Sequence, residues 1–406
     1  MLRLWSVGIL FLLTMSASVL HASPASPERW YFTHFTTDDG LAFNSVTSIT
    51  QDSNGFVWFA TEDGLSRYDG RDFKNFTKDD LGIDTDFITA LCADGSGNLW
   101  VGSDNGASRY DFVSDSFVPL DAVSDKGTEV RGKVTHICID DGGLVWMSVN
   151  GLGLFSYDPV TDRLRNFFCE NGRTTLPFNI RTFVIDGNGD FWLSLYFADI
   201  WYSDSSLQKA ERVKIVGWKE NDDIVSMDRN GQGRIILSSW KNGLGEFDCK
   251  KRSFRSYLNY GPGQRPKGMY YDRNNRRIWS ATTRGLCLYD LATGETARLS
   301  SNVQDGFSLS GDNITAVFTD ATGGLWASSL SSGVNYASEY HKNFRKYYMA
   351  DGENLAGCFI MDIAQDSSGR IWVASEKRGL LYLDTADDAL HFFRSHLPTN
   401  IRSLCS

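Results

Sequence analysis

One pattern returns along this chain, and its return restricts the fold more than any other property. Asn44–Asp69 reads NSVTSITQDSNGFVWFATEDGLSRYD: two apolar runs around an Asp-Ser-Asn-Gly turn, a second turn at Asp63-Gly64, then a short aromatic run. Each run holds about five residues rich in Val, Ile, Phe, Trp and Thr, bounded by Gly, Asp or Asn, which predicts short antiparallel strands joined by tight turns. The same template fits the residues around Trp100, Trp146, Trp192, Trp279, Trp326 and Trp372, and around Ile236, which takes the Trp position in the fifth copy. A fourth, outer run follows the copies, as at Phe73, Phe117, Phe167, Phe254, Phe344 and Phe392. A four-strand unit recurring every ~40–45 residues predicts an all-β chain of propeller blades.

The register of the repeat also predicts the closure. WYFTHF (Trp30–Phe35) has the character of an outer strand, yet no inner strands precede it. Seven repeats follow, from the one at Trp58 to the one at Trp326, and the lone first strand would complete the seventh, so that no sheet edge is left open. That reading gives a seven-bladed ring over about Trp30–Tyr336. NFRKYY at 343–348 then starts something new, and the repeat around Trp372 is the first blade of a second propeller. A single eight-bladed ring is the alternative. The divisions expected are 1–22 as a signal peptide, 23–29 as a short linker, 30–340 as the propeller and 341–406 as the start of the second. NIRSLCS at the end matches the opening of a first strand, which reads as a fragment of a longer protein.

Composition narrows the partners. The formal net charge is -10 and there is no Lys/Arg run, which argues against nucleic acid or an anionic membrane surface. Arg3 precedes the apolar run Leu10–Leu13, which continues through small residues to Ala22; the run is too short and too rich in Ser and Thr for a membrane span and fits an export signal cleaved near Ala22. An uncleaved anchor is the alternative; both export the body of the chain to the periplasm. The seven cysteines include no Cys-x-x-Cys, and Cys92, Cys138 and Cys405 fall at one repeated first-strand position. They read as small buried hydrophobes rather than as a disulfide or metal framework.

Chemistry-bearing motifs are sparse. No His-Glu-x-x-His, Gly-x-Ser-x-Gly, P-loop or dinucleotide fingerprint occurs, so the sequence suggests no catalytic residue, metal or cofactor. The recurring acids Asp52, Asp94, Asp186, Asp320 and Asp366 precede a Gly by three residues, as turn-forming Asp does. Trp58, Trp100, Trp146, Trp192, Trp279, Trp326 and Trp372 read as structural residues packed between blades. The acid pairs Asp38/Asp39, Asp79/Asp80 and Asp222/Asp223 read as solvated acids of connectors. Departures from the repeat say more, since the fold does not require them. The position four after the Trp is polar or small in most copies but is Tyr196, then Phe197, in the fourth, and Trp240, then Lys241, in the fifth. Connectors on the same face carry Arg173, Trp218, Arg265 and Lys267. Aromatic rings beside cations suit a sugar ring with anionic or hydroxyl groups; packing of these aromatics on each other or on another domain is the alternative.

The run from Asp39-Gly40-Leu41 through Tyr68-Asp69, with Asn44, Val46, Ile49, Asp52, Gly55, Trp58, Thr61 and Gly64-Leu65 at its fixed positions, resembles the two-component regulator propeller repeat. The resemblance extends over most of Trp30–Ser406. It implies the periplasmic sensor of a hybrid two-component receptor, in which two seven-bladed propellers precede a Tyr-rich β-sandwich, a membrane helix, a histidine kinase core, a receiver and a DNA-binding domain. The implied role is detection of an oligosaccharide to switch on genes for polysaccharide use, with dimerisation in the full-length receptor. The chain departs from the pattern where the fourth copy has Ala198-Asp199-Ile200 for Gly-Leu and the fifth lacks its Trp. Nothing in it matches a kinase motif, so no enzyme activity is expected of this stretch. A propeller lyase or hydrolase acting on polysaccharide, and a protein-interaction scaffold, are the competing expectations.

Overall fold

The computed structural model describes residues 30–95, 97–167, 177–231, 233–340, 345–355, 357–384, 386–394 and 404. Among them the chain forms seven four-stranded antiparallel sheets and one six-stranded sheet. The first sheet runs Val46–Gln51, Val57–Thr61, Gly64–Tyr68 and Phe73–Phe76, in that spatial order. The second to seventh begin with the inner strands Ile88–Ala93, Val134–Ile139, Ile180–Ile185, Ile224–Gly231, Pro266–Asp272 and Ile314–Thr319. The all-β expectation and the propeller architecture hold.

The seventh sheet takes its outer strand from the other end of the chain. Thr33–Phe35 pairs antiparallel with Gly333–Ala337, Thr33 opposite Tyr336 and Phe35 opposite Val334. The seventh sheet also packs on the first: Thr315 Oγ1 donates to the Val46 carbonyl at 2.7 Å, Ala321 N donates to Gln51 Oε1 at 2.7 Å, and the Trp326 and Tyr68 rings lie 5.7 Å apart.

Each repeat Trp stands on the second strand of its sheet, and those of the four-stranded sheets pack on the next sheet, as Trp58 on Tyr110 at 5.0 Å, Trp100 on Tyr157 at 5.4 Å and Trp192 on Phe247 at 5.2 Å. The core is thus a series of apolar layers between sheets, such as Trp58, Leu65 and Phe76 against Ile88, Leu99 and Tyr110. The repeat Asp serves both the turn and this layer. One oxygen of Asp140 accepts from Gly142 N and Leu144 N, both at 2.9 Å, and the other accepts from Trp146 Nε1 at 2.8 Å. Asp52, Asp186, Asp320 and Asp366 hold Trp58, Trp192, Trp326 and Trp372 in the same way. In the second sheet Asn98 Nδ2 takes the second oxygen of Asp94 at 2.7 Å, and the buried Trp100 Nε1 has no acceptor. Ile236 fills the Trp position of the fifth sheet, fully buried and opposite Asp228 and Glu246. Asp228 there sits in the strand, not in the turn, because the hairpin is longer and closes at Gly231 opposite Arg234.

The six-stranded sheet comprises Ile360–Gln365, Ile371–Ser375, Gly379–Asp384 and Ala389–Phe392, plus a small hairpin of Met349–Ala350 and Glu353–Asn354 on its outer edge. The outer strand expected over 343–348 is not formed at 345–348. Those residues make side-chain contacts instead: the Lys346 ammonium lies 4.3 Å from the Phe307 ring, Tyr348 packs on Phe307 at 5.3 Å, and Tyr347 Oη bonds Asp388 at 2.8 Å. The expected signal peptide and linker over 1–29, residues 341–344 and most of NIRSLCS lie outside the described residues. No helix among the described residues is long and apolar enough to cross a membrane.

Candidate functional site

The inner strands of all seven four-stranded sheets carry a bulge at the same register, one residue after the strand begins. A bulge frees one residue from the ladder and re-aims its side chain. In the seventh, first, second and third sheets that residue is Thr, and its hydroxyl donates to a carbonyl of the next inner strand: Thr315 to Val46, Thr47 to Ile88 at 2.7 Å, Thr89 to Val134 at 2.6 Å and Thr135 to Ile180 at 2.8 Å. In the fourth, fifth and sixth sheets it is Arg181, Val225 and Lys267. Other groups make the links there. Ser194 Oγ bonds the Ile224 carbonyl at 2.9 Å, and Tyr260 Oη bridges Ser238 and Ser280 at 2.7 and 2.5 Å. The inner strands border a cavity of about 1000 Å³, whose lining includes Thr47, Thr89, Thr135, Lys267 and Thr315.

The strand-joining turns of the fourth and fifth sheets meet through Phe197 and Trp240, neither of which lines this cavity. Phe197 has a left-handed backbone (φ 56°), a conformation that costs roughly 1–2 kcal/mol for a residue with a Cβ. Its ring is 69% exposed and touches Trp240 edge-on at 6.0 Å. The Arg265 guanidinium lies over Trp240 at 4.6 Å, and the buried Trp240 Nε1 has no acceptor. Tyr196, 38% exposed, lies under the Arg181 guanidinium at 5.3 Å. The sequence predicts Tyr196, Phe197, Trp240 and Arg265 as neighbours, and the structure brings them together; it also shows that Arg265 covers a face of Trp240.

Three buried carboxylates hold these turns. Asp222 and Asp223, expected to be solvated, are 0% and 4% exposed. They are buried because they satisfy backbone amides that sheet pairing leaves over. Asp222 accepts from Asp223 N, Lys241 N and Asn242 N, and from Asn242 Nδ2 at 2.7 Å. Asp223 accepts from Phe197 N at 3.3 Å and pairs with Arg181 at 2.6 Å. Asp199 replaces the repeat Gly whose absent Cβ lets the outer strand approach: a Cβ at Gly243 or Gly285 would meet an outer-strand carbonyl at 2.3 or 2.1 Å. The fourth outer strand is accordingly only Glu211–Arg212, and Arg212 reaches back to Asp199, which also accepts from Trp218 Nε1 at 2.9 Å. Burial raises the Asp199 pKa, but these hydrogen bonds outweigh it and hold the carboxyl below its ordinary range.

Two further predicted residues are thus engaged by the scaffold. Trp218 is bonded to Asp199 and packs on Phe254; Lys241 Nζ donates to the Glu220 and Asn221 carbonyls at 3.3 and 2.6 Å. Lys267 is exposed at the cavity. Arg173 lies outside the described residues. Sequence reasoning missed Arg181 and the roles of Asp199 and Asp223; the run of Thr at one position of the other inner strands was the available signal. His136, Cys92 and Cys138 also line the cavity. Burial lowers the His136 pKa to about 4, leaving the ring neutral at pH 7, and raises Cys92 to about 12 and Cys138 well above its usual value. Both thiols are free. No group of three or more metal-ligating side chains occurs among the described residues.

Comparison with known proteins bears on the repeat and the fold. The family model described as "Two component regulator propeller" matches residues 40–63, 82–105 and 354–377. A histidine kinase of Formosa agariphila is 44% identical over 50 residues, 12% of this chain and 4% of that protein. Among solved structures, the extracellular domain of a B. thetaiotaomicron protein described as a hybrid two component system superposes with a TM-score of 0.68 at 20% identity, over 88% of this chain and 48% of that one. Virginiamycin B lyase from Staphylococcus aureus superposes at 0.58 with 11% identity, over 76% of this chain and 98% of that one. At these identities the structural likenesses speak for the fold, and the chain spans about half the length of the first. The chain is a β-propeller protein that carries the two component regulator propeller repeat.

Proposed function

We propose that this chain is the exported, periplasmic ligand-binding region of a hybrid two-component receptor and that its ligand is an oligosaccharide. The observation that carries the reading is the cluster on the turns of the fourth to sixth sheets, where the exposed Tyr196 and Phe197 meet Arg181, Trp240 and Arg265. The B. thetaiotaomicron structure is described as extracellular and as part of a hybrid two component system, which favours a sensory role. Signalling in such a role is a ligand-biased change in domain arrangement, not chemistry on the ligand. The kinase output and membrane anchor belong to the full-length receptor.

The reading includes two units, 30–340 as a seven-bladed propeller and 341–406 as the first blade of a second. Support comes from the inner strand of the six-stranded sheet. Ile360 and Ile363 are 49% and 62% exposed, whereas Ile314 and Val317, at the same register in the seventh sheet, are 0% and 8% exposed against a neighbouring sheet.

Calorimetric titration of the chain against a panel of oligosaccharides, with product analysis of each mixture, tests the function. Binding without turnover is expected, weakened in Trp240→Ala. Turnover would make it an enzyme, and no binding across the panel would favour a scaffold.

A further inference from the structure

We propose that the ligand of this face is an acidic glycan fragment, with its anionic group between Arg265 and Lys267 and its ring against Phe197. This rests on the glycan-binding reading above and adds the charge of the ligand.

The first ground is that Phe197 is costly where it stands. In the third sheet the corresponding turn position is Gly151, with φ 79°, a conformation glycine adopts freely. Phe at this position adds backbone strain and leaves most of an aromatic ring in water. The strained conformer is fixed from below, by Asp223 on its amide and Trp240 against its ring. A strained, exposed and well-supported aromatic ring is pre-organised for contact.

The second ground is charge matching. Of the exposed or half-buried arginines, Arg67, Arg131, Arg229 and Arg273 face Asp115, Asp84, Asp141 and Asp228, while Arg255 and Arg284 are in no ion pair among the described residues. Arg265 and Lys267, on either side of the buried Pro266, are both exposed, and among the described residues neither is ion-paired. Carboxylates lie nearby but are engaged. Of those lining the cavity, Asp140 and Asp186 hold Trp146 and Trp192, while Asp141 and Asp228 are paired with arginines. A chain with net charge -10 that leaves two adjacent cations uncompensated beside a cavity presents a local site for an anion. Carboxylate and sulfate oxygens are acceptors only and take charge-assisted bonds from guanidinium and ammonium donors alike.

Titration of the full chain with matched pairs tests this: trigalacturonic acid against its carboxyl-reduced counterpart, and a sulfated against a desulfated chondroitin tetrasaccharide. An acidic member is expected to bind at least about tenfold more tightly than its neutral partner, with the gap shrinking as salt rises and closing in Lys267→Met and Arg265→Gln that keep the parent melting temperature. The first pair reads a carboxylate, the second a sulfate. Equal binding of acidic and neutral members would overturn the acidic assignment and leave glycan binding standing. A gap that survives in both variants would overturn the placement at Arg265 and Lys267. Failure of all four to bind would count against both readings.

Discussion

The sheets of this propeller fall into two arcs. In the seventh, first, second and third, a Thr at the bulge of each inner strand ties that strand to its neighbour. In the fourth, fifth and sixth, the same position carries Arg181, Val225 and Lys267; Ser194 links the fourth sheet to the fifth, Tyr260 the fifth to the sixth, and Tyr270 Oη bonds the Thr319 carbonyl of the seventh at 3.3 Å. Moving the links to other side chains frees the bulge residues, and the freed positions border the exposed aromatics. The comparison teaches how a repeat fold makes room for a site. Neighbouring sheets keep their packing while one repeated hydrogen bond is supplied from elsewhere.

The comparison can be broken most severely in the regular arc. Trp58→Ala removes a fully buried ring that packs on Phe76 and Tyr110 and is bonded to Asp52; denaturant unfolding is expected to show a loss of about 3–5 kcal/mol. Thr89→Val keeps the volume but removes the hydroxyl donor to Val134, for an expected loss of about 1 kcal/mol, with ligand affinity unchanged. A loss of affinity in Thr89→Val would mean that the arcs do not divide their tasks. The smallest effect is local and lies outside both arcs. His391 bridges Asp351 and Asp387 at 2.7 and 2.8 Å and so fastens the 349–354 hairpin to the outer strand of the six-stranded sheet. Hydrogen bonds that His391 donates to these two carboxylates raise its pKa. A raised pKa means that the fastening is complete below the ordinary His value and is lost as pH rises through the folded value. Amide exchange in the hairpin, corrected for intrinsic rates, is therefore expected to be slower at pH 5.5 than at pH 8.5; the reverse order would show that His391 does not hold it.

Most of the fold was legible because its causes are local. The Asp-to-Trp spacing encodes a turn and an indole bond at once, so Asp52 and Trp58 or Asp140 and Trp146 can be read without knowing what surrounds them. The pairing of Thr33–Phe35 with Gly333–Ala337 was readable from the phase of the repeat. The site was legible in part. Tyr196, Phe197 and Trp240 stood out as departures from a regular template, and Arg265 was close enough in register to be grouped with them. Asp222 and Asp223 were misjudged as solvated, because an acid in a connector is read from its own neighbours. Their burial comes from the amides of Phe197, Lys241 and Asn242; for Phe197 the donor lies more than twenty residues away. The strand expected over 343–348 is not formed at 345–348 for a related reason: Tyr347 and Tyr348 find partners at Asp388 and Phe307, which no local pattern reveals.

Phe197→Gly tests the division most directly, with thermal unfolding and ligand titration made on the same preparation. If Phe197 is held in a strained, exposed conformation for contact, the glycine variant melts at the same or a higher temperature and binds at least about tenfold more weakly. A lower melting temperature with unchanged affinity would contradict the account and make Phe197 a residue of the fourth sheet's turn that serves to pack on Trp240 of the fifth.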